Sequence, residues 1–332
     1  MELTFVFLLI ALSIYILFGG ADFGGGLLEL VLRGYPHLQK KLQQTLAPVW
    51  EANHVWLIAV VVILFVGYPR AYASLSTVLF VPIYLALLGI ILRGAFFTFR
   101  KYDPEPDSWS RYYGWLFRLS SGITPMMFGF IVASLLQPFP LPDAQNVSFF
   151  MLYIQPWFTV FGLLSALFVN ALFAYLASVF FYGELSEHAD RKVVEKRIRF
   201  FFACSFILGG LTLALGALKG IVSLDKTFTP LQISVQVVSL IAVWVLFRAM
   251  SREQIWTMRL AIGIQVLCIL LGWFATQFPV FLRFVDGTTL TVFNAAAPEV
   301  TLYWLNIGLV AVLAMVIPML VYLYRVFEAE TP

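Results

Sequence analysis

Residues 3–32 read LTFVFLLIALSIYILFGGADFGGGLLELVL, and their charged side chains are Asp22 and Glu29. A helix needs about 20 mostly apolar residues to cross the roughly 30 Å hydrocarbon core of a bilayer, so this stretch is long enough to span a membrane. A charged side chain inside a span costs roughly 2.5–3.5 kcal/mol on insertion scales, which makes a carboxylate as deep as Asp22 a functional candidate. The stretch therefore predicts a membrane helix that carries chemistry.

The whole chain has the same apolar character. Its 332 residues are 61% hydrophobic and 12% charged, with a mean hydropathy of +0.90, whereas soluble domains are roughly a quarter charged. The apolar runs are continuous rather than alternating, which excludes a β-barrel. We predict an all-α polytopic membrane bundle of about nine transmembrane helices, forming a single domain over residues 1–332. The predicted spans are approximately 3–32, 48–68, 74–99, 112–136, 156–182, 200–218, 231–248, 258–280 and 301–326.

The connections between the spans predict the orientation. Fifteen of the 21 Lys and Arg residues lie in odd-numbered connections or the C-terminal tail, against four in even-numbered connections. Because cytoplasmic loops carry an excess of Lys and Arg, we expect the N-terminus outside and the C-terminus in the cytoplasm. The largest cytoplasmic connection, 183–199, carries mixed charges and is expected to extend a helix into water. The outer loop around 138–142 is expected to be rigid and polyproline-like.

Four charged residues lie within successive predicted spans: Asp22, Glu51, Arg93 and Arg118. With a rise of 1.5 Å per residue, the predicted orientation places them in one layer in the cytoplasmic half of the membrane. Glu29 lies closer to the end of its helix. One interpretation is that carboxylates and arginines pair only to stabilise the bundle. The other is a half-channel that admits a proton or a metal cation from the cytoplasm, and the residues do not decide between these cargoes.

A glycine-rich run, Gly19–Gly26, surrounds Asp22 in the first span. Small residues in membrane helices allow close packing of neighbouring helices, which is the first interpretation of this run. The alternative is a locally loosened helix that lets Asp22 reach water or a neighbouring subunit.

The second span opens with PVWEANHVWL at 48–57, which is unusually polar for a membrane helix. Glu51 and His54 stand three residues apart and share a helix face, as do Asn53 and Trp56. A lone buried histidine is more often structural than a ligand, and the chain lacks the paired intramembrane histidines that a bis-histidine haem needs. We therefore expect this chain to ligate no haem and no metal.

Together these residues resemble subunit II of the cytochrome bd-type quinol oxidases, in the branch often called cyanide-insensitive. The resemblance covers the chain up to Arg100; the remainder is similar in length, helix count and hydropathy. It is carried by residues 20–26 and 48–57, and by Leu64-Phe65, Tyr68-Pro69, Ala71-Tyr72-Ala73, Arg93-Gly94, Phe96-Phe97 and Phe99-Arg100.

The resemblance implies an accessory subunit of a terminal quinol:oxygen oxidoreductase in an aerobic respiratory chain, located in a bacterial or archaeal cell membrane. Its main partner would be subunit I, which would hold haem b and haem d (or b) groups. Quinol, lipid and small single-span subunits are further expected partners, a quinone is a possible cofactor, and nucleic acid is not expected. The alternative function is a secondary transporter or cation-channel subunit that uses the same carboxylates.

The resemblance also implies a cytoplasmic proton path through this subunit. It assigns the entry carboxylate to Glu51, where other branches have Asp. The residues expected to act are Glu51 and Asp22 in proton transfer, Arg93, Asn53 and His54 in support, and Trp50 and Trp56 in packing toward a haem of the partner.

Overall fold

The computed structural model describes residues 1–46, 50–102, 108–141, 148–223, 225 and 228–330, with the side chains at 50–52, 102, 108–110, 320, 321 and 323–330 outside the description. Helices dominate these ranges. They are α1 (Glu2–Val31), α2 (Pro36–Leu46), α3 (Trp50–Val62) with a π-helical turn (Ile63–Gly67), α4 (Pro69–Val78), α5 (Phe80–Tyr102), α6 (Ser108–Ser134), α7 (Phe149–Tyr153), α8 (Val160–Tyr182), α9 (His188–Leu218), α10 (Pro230–Met250), α11 (Ile255–Gln277) and α12 (Glu299–Glu330).

Eight of the described helices are long and apolar enough to cross a membrane, namely α1, α5, α6, α8, α9, α10, α11 and α12. A ninth candidate span is α3 with its π-helical turn, followed by α4 at an angle of 116°. The predicted all-α bundle of about nine membrane helices is therefore confirmed for the described part of the chain.

The third predicted span was wrong at its start, because α5 begins at Phe80 rather than near residue 74. Between the two spans, Tyr68 leaves the helical conformation with φ −135° and ψ 59°. Pro69 then starts α4, since proline is well suited to the first position of a helix. The polar connection at 183–199 does extend a helix, because α9 begins at His188.

A small sheet joins the connection after α6 to the connection between α11 and α12, and the sequence did not predict it. Its strands are β1 (Pro138–Phe139), β2 (Val280–Phe284) and β3 (Thr289–Thr291), in the order β1-β2-β3. Pro138 pairs with Arg283 in a parallel register, so the expected polyproline-like loop was wrong at its first two residues. The loop residues 142–147 lie outside the described ranges.

Helix α1 lies at the centre of the bundle and packs against α3, α6 and α8. A Cβ atom at Gly24 would lie 1.9 Å from the carbonyl oxygen of Phe173 in α8, and one at Gly26 would lie 2.3 Å from Oγ of Ser121 in α6. The packing interpretation of the glycine run is thus confirmed. The loosened-helix alternative was wrong, because α1 is continuous from Glu2 to Val31.

The outside of the bundle is apolar, as expected of a surface that faces lipid or another membrane subunit. Phe206, Leu260 and Trp304 are each more than 60% exposed, on α9, α11 and α12. Among the eight candidate spans, α12 is the least buried, because only 6% of the residues in its most apolar 18-residue stretch lie inside the protein.

We predict that Gly24→Ala destabilises the protein, because the added methyl group overlaps the backbone of α8. Overpacking of this kind costs typically about 1–3 kcal/mol. Gly210→Ala in α9 is the matched control, since nothing lies within 4 Å of its Cβ position and a helical Gly→Ala change is stabilising by roughly 0.5–1 kcal/mol. Thermal unfolding in detergent measures both, and equal melting temperatures for the two variants would refute the proposed tight contact.

Candidate functional site

Asp22 and Arg93 form a bidentate ion pair in the interior of the bundle. Nη1 of Arg93 lies 2.8 Å from Oδ2 of Asp22, and Nη2 lies 2.7 Å from Oδ1. Both side chains are 2% exposed. A buried carboxylate and guanidinium are tolerated in lipid only when each compensates the other, so this pair fixes α1 against α5.

The remaining donors and the faces of the Arg93 guanidinium also have partners. Nη2 donates to the carbonyl oxygen of Asp22 at 3.0 Å, and Nε donates to Oγ of Ser121 at 3.1 Å. The guanidinium carbon lies 5.0 Å from the ring centroid of Phe23 and 5.1 Å from that of Phe117, within the range of cation–π contacts. The charge is therefore held in one orientation by three helices.

A second buried carboxylate, Glu29, lies two turns further along α1. Arg100 donates to it through Nη1 and Nη2, with distances of 2.9 to 3.1 Å to both oxygens. Nη1 of Arg118 lies 3.0 Å from Oε1 of the same carboxylate. Glu29 is 2% exposed, so two arginines surround one buried negative charge.

The two ion pairs form a ladder between α1 and α5. Each joins residues 71 apart in sequence, Asp22 to Arg93 and Glu29 to Arg100, so the two helices run in the same direction. Helix α6 packs against both and places Phe117 between the rungs, where the Arg100 guanidinium lies 4.5 Å from the ring centroid. A rung spacing of seven residues corresponds to about 10 Å along a helix.

The sequence placed Arg118 in one layer with Asp22 and Arg93, but its ion-pair partner in the structure is Glu29. This is the carboxylate that the sequence set aside because it lay nearer a helix end. The missed signal is a repeated spacing, because Asp22 and Glu29 on one helix match Arg93 and Arg100 on another. Two carboxylates and two arginines at the same interval predict two pairs on facing helices.

The polar start of α3 approaches α1 beside the first pair. Asn53 is 2% exposed, and its Nδ2 donates to the carbonyl oxygen of Phe18 at 3.4 Å, one turn from Asp22. Glu51 stands in the first turn of α3, but its side chain and that of Trp50 lie outside the described residues. His54 is half-buried at the same end of α3.

Tyr15 is a buried hydroxyl that the sequence did not single out. It is 3% exposed, and Oη has no hydrogen-bond partner among the described residues. Its ring lies over Gly19, where Cε2 is 3.2 Å from the position that a Cβ atom would occupy. The side chain therefore extends along α1 in the direction of Asp22. Tyr15 also interacts electrostatically with Asp22 and Arg93. It packs with Phe23 and Phe173 in a cluster that Trp56 of α3 covers.

The described histidines do not fit a haem held by a pair of intramembrane ligands. His37 lies 2.9 Å from Asp190, and His188 lies 2.9 Å from Glu253, both at polar ends of helices. Hydrogen bonds from His188 and Arg191 hold the pKa of the Glu253 carboxyl below its usual range. Within the described ranges, no three His, Cys, Asp or Glu side chains are close enough to share a metal ion.

Comparisons with known proteins agree with one another. A model of the family described as cytochrome bd terminal oxidase subunit II matches residues 1–327. Cytochrome bd ubiquinol oxidase subunit 2 of Bacillus subtilis (strain 168) is 26% identical over 172 residues, which are 52% of this chain and 49% of that protein. Cytochrome bd-I ubiquinol oxidase subunit 2 of Escherichia coli (strain K12) is 29% identical over 121 residues, which are 36% of this chain and 32% of that protein.

The sequence matches therefore span about half of the first relative and a third of the second. The fold match is complete. A chain from the structure of bd oxidase from Geobacillus thermodenitrificans superposes with a TM-score of 0.79 at 18% identity, covering 100% of both chains. At that identity, the likeness establishes the shared fold.

We predict that Asp22→Asn lowers the free energy of unfolding by about 3–5 kcal/mol, because it leaves the Arg93 guanidinium buried without a counter-charge. Thermal unfolding in detergent is the measurement. Arg199→Gln is the matched control, since its i,i+4 pair with Glu195 is exposed and is worth roughly 0.3–0.5 kcal/mol.

The double change Asp22→Leu with Arg93→Met removes both charges at similar volume and should recover most of the loss, because no buried charge remains unpaired. A double variant as unstable as Asp22→Asn would show that lost packing, rather than an uncompensated charge, causes the effect.

Proposed function

Because the chain belongs to the cytochrome bd terminal oxidase subunit II family, we propose that it is the accessory subunit of a terminal quinol:oxygen oxidoreductase. It is a multi-pass protein of the bacterial inner membrane. Its proposed partner is a subunit I that holds haem b and haem d (or b) groups and reduces dioxygen to water with electrons from quinol. The chain would act as one membrane domain, with its C-terminus in the cytoplasm as the 15-to-4 distribution of basic residues indicates.

The proposed contribution of this subunit is a proton path that starts at the cytoplasmic face. Reduction of dioxygen consumes protons inside the membrane, so a path that opens to one side is sufficient. The observation that carries the proposal is the buried Asp22–Arg93 pair beside the polar start of α3. In lipid, an intramembrane ionisable group is costly and marks a proton or ion pathway by default.

Glu51 is the proposed entry group. It lies two residues before Asn53, whose bond to Phe18 holds the start of α3 against α1. A carboxylate in this position exchanges protons with cytoplasmic water and passes them inward. His54, one turn along the same helix, would orient Glu51 or a bound water.

Asp22 is the proposed second group, and Arg93 holds it in place. Each Asp22 oxygen accepts one hydrogen bond from Arg93, which leaves further lone pairs for water. The guanidinium makes the resting pair neutral, and a water bound to Asp22 has the carboxylate beside it to stabilise the positive charge of a proton in transit. Arg93 therefore positions the path, and Asp22 forms its polar surface.

Tyr15 would extend this path toward the middle of the bilayer. A buried hydroxyl without a partner costs roughly 1–3 kcal/mol, which a bridging water removes when other polar groups are near. The ring reaches toward Asp22, so a water between the two would satisfy both. Trp56 covers the same cluster and is the proposed contact toward the partner's haem.

The family membership argues against the alternative of a secondary transporter or cation channel. Transport also requires access from both faces of the membrane. The buried charged residues of the described spans are Asp22, Glu29 and Arg93, and their ion pairs lie toward the C-terminal ends of α1 and α5.

We predict that Glu51→Gln lowers quinol-driven oxygen consumption of the complex at least about tenfold, because a positioned proton-transfer group typically contributes roughly 10²–10⁴-fold. Glu51→Asp keeps the titratable group and should retain most activity. Proton uptake and oxygen consumption in inverted membrane vesicles are the measurements, with haem content as the check on assembly.

Glu195→Gln is the matched control, because Glu195 is a surface carboxylate on the same predicted side and its loss should leave turnover unchanged. Full turnover in Glu51→Gln, or loss of haem from that variant, would assign Glu51 a structural role instead.

We predict that Tyr15→Phe slows turnover roughly two- to tenfold, the rate equivalent of one lost hydrogen bond of about 0.5–1.5 kcal/mol. Tyr175→Phe is the matched control, because Tyr175 is also fully buried with an unpartnered hydroxyl among the described residues, but lies in α8 against Phe202. The solvent deuterium isotope effect on turnover should rise in Tyr15→Phe alone. Equal effects of the two changes would remove Tyr15 from the path.

A further inference from the structure

A cleft opens at the other end of α1, far from Asp22. It lies between the first turns of α1, the π-helical turn after α3, the end of α11 and strand β2, and encloses a volume of about 130 Å³ that is partly open to the surroundings. Of the sixteen described residues that line it, only Trp273 and Gln277 have polar atoms in their side chains. Leu9, Leu12 and Leu64 are typical of its walls. A cavity of this composition excludes ions and accepts a hydrocarbon chain.

Arg283 stands at the edge of this cleft with its charge poorly compensated. It lies two residues after Phe281 on β2, and Phe281 lines the cleft. Nη1 donates to Oε1 of Gln277 at 3.0 Å and to the carbonyl oxygen of Leu135 at 3.3 Å, and both of these residues also line the cleft. Within the described ranges no carboxylate forms an ion pair with Arg283.

Burial lowers the pKa of the Arg283 guanidinium, in agreement with a cation that has only neutral acceptors around it. A partly buried arginine ordinarily has an anionic partner, because the guanidinium presents five donors suited to a carboxylate or a phosphate. Both hydrogen bonds that Arg283 makes within the described ranges come from Nη1, so Nε and Nη2 have no protein acceptor there.

A second unsatisfied donor lies deeper on the same wall. Nε1 of Trp273 is buried and makes no hydrogen bond within the described chain. Trp273 precedes Gln277 by four residues, so the indole lies about one helical turn, or roughly 6 Å, further into the membrane than the partner of Arg283. The cleft therefore offers a cation at its outer end, a neutral donor one turn deeper and hydrocarbon walls beyond.

We propose that this cleft binds one anionic phospholipid, with its phosphate on Arg283, a glycerol ester carbonyl on Nε1 of Trp273 and an acyl chain along α1. The order of the three groups matches that of the lipid, whose phosphate lies outside its ester groups and whose esters lie outside its chains. Each buried CH₂ group contributes roughly 0.8 kcal/mol, while the phosphate supplies the anion that the guanidinium lacks. A quinone matches the walls equally well but brings no charge to Arg283.

The test is native mass spectrometry of the delipidated complex, titrated separately with phosphatidylglycerol, phosphatidylcholine and ubiquinone. We expect the complex to bind one phosphatidylglycerol more tightly than the other two probes, and Arg283→Gln to weaken that binding about tenfold or more.

Arg283→Lys keeps the charge and should bind nearly as well as the unchanged protein. Arg70→Gln is the matched control, since Arg70 is an exposed arginine on the same predicted side, at the start of α4.

Two further variants keep the proposal testable if Arg283→Gln assembles poorly. Leu9→Trp narrows the cleft and should weaken phosphatidylglycerol binding, and Trp273→Phe removes only the deeper donor and should weaken it by a smaller factor. Equal binding of phosphatidylcholine, tighter binding of ubiquinone, or unchanged affinity in Arg283→Gln would each overturn the proposal. These outcomes are distinguishable from a failure of the proton path, because the cleft reaches no further along α1 than Leu12, ten residues before Asp22.

Discussion

The rest of the structure depends on one constraint, which is that a charge within lipid must be compensated by another. Asp22 is 2% exposed in the C-terminal half of an apolar membrane helix, and only the guanidinium of Arg93 makes its ionised form tolerable there. That requirement brings α5 to α1 although the two residues are 71 positions apart. Because the contact is bidentate, it fixes orientation as well as distance.

The small residues around Asp22 are what allow the pair to be buried. Glycines on α1 remove side chains where α8 and α6 approach, so the backbone of Phe173 and the hydroxyl of Ser121 come against the helix. Ser121 then donates to the carbonyl oxygen of Phe117 at 2.7 Å while accepting from Arg93. The tight packing around α1 and the polar pair are thus parts of one arrangement.

Much of this arrangement follows from the sequence, and what does not follow has a physical reason. Apolar length alone identifies the membrane helices, because nothing else in a cell requires about 20 uninterrupted apolar residues. The Asp22–Arg93 contact was one of several pairings that the composition allowed. Glu29 lies near the end of α1, yet it is buried because Gln39 of α2 and Arg118 of α6 contact it, and distance from a helix end does not report such contacts. The π-helical turn and β2 depend on contacts between distant segments, which periodicity does not report.

The two ends of α1 differ chemically, and the difference bears on what the subunit does. Toward its C-terminal end, paired charges and a buried hydroxyl extend from Glu29 through Asp22 to Tyr15, about 20 Å along the helix at 1.5 Å per residue. Toward its N-terminal end, the residues of α1 that line the cleft, from Leu12 to Phe5, have hydrocarbon side chains. Beyond Tyr15 the helix carries the hydroxyl groups of Ser13 and Thr4, and Thr4 donates to Oδ1 of Asn306, but no further charged side chain occurs before Glu2. Such an arrangement supports the proposed function, because reduction of dioxygen by a partner subunit would consume protons within the membrane and would need access from one side only.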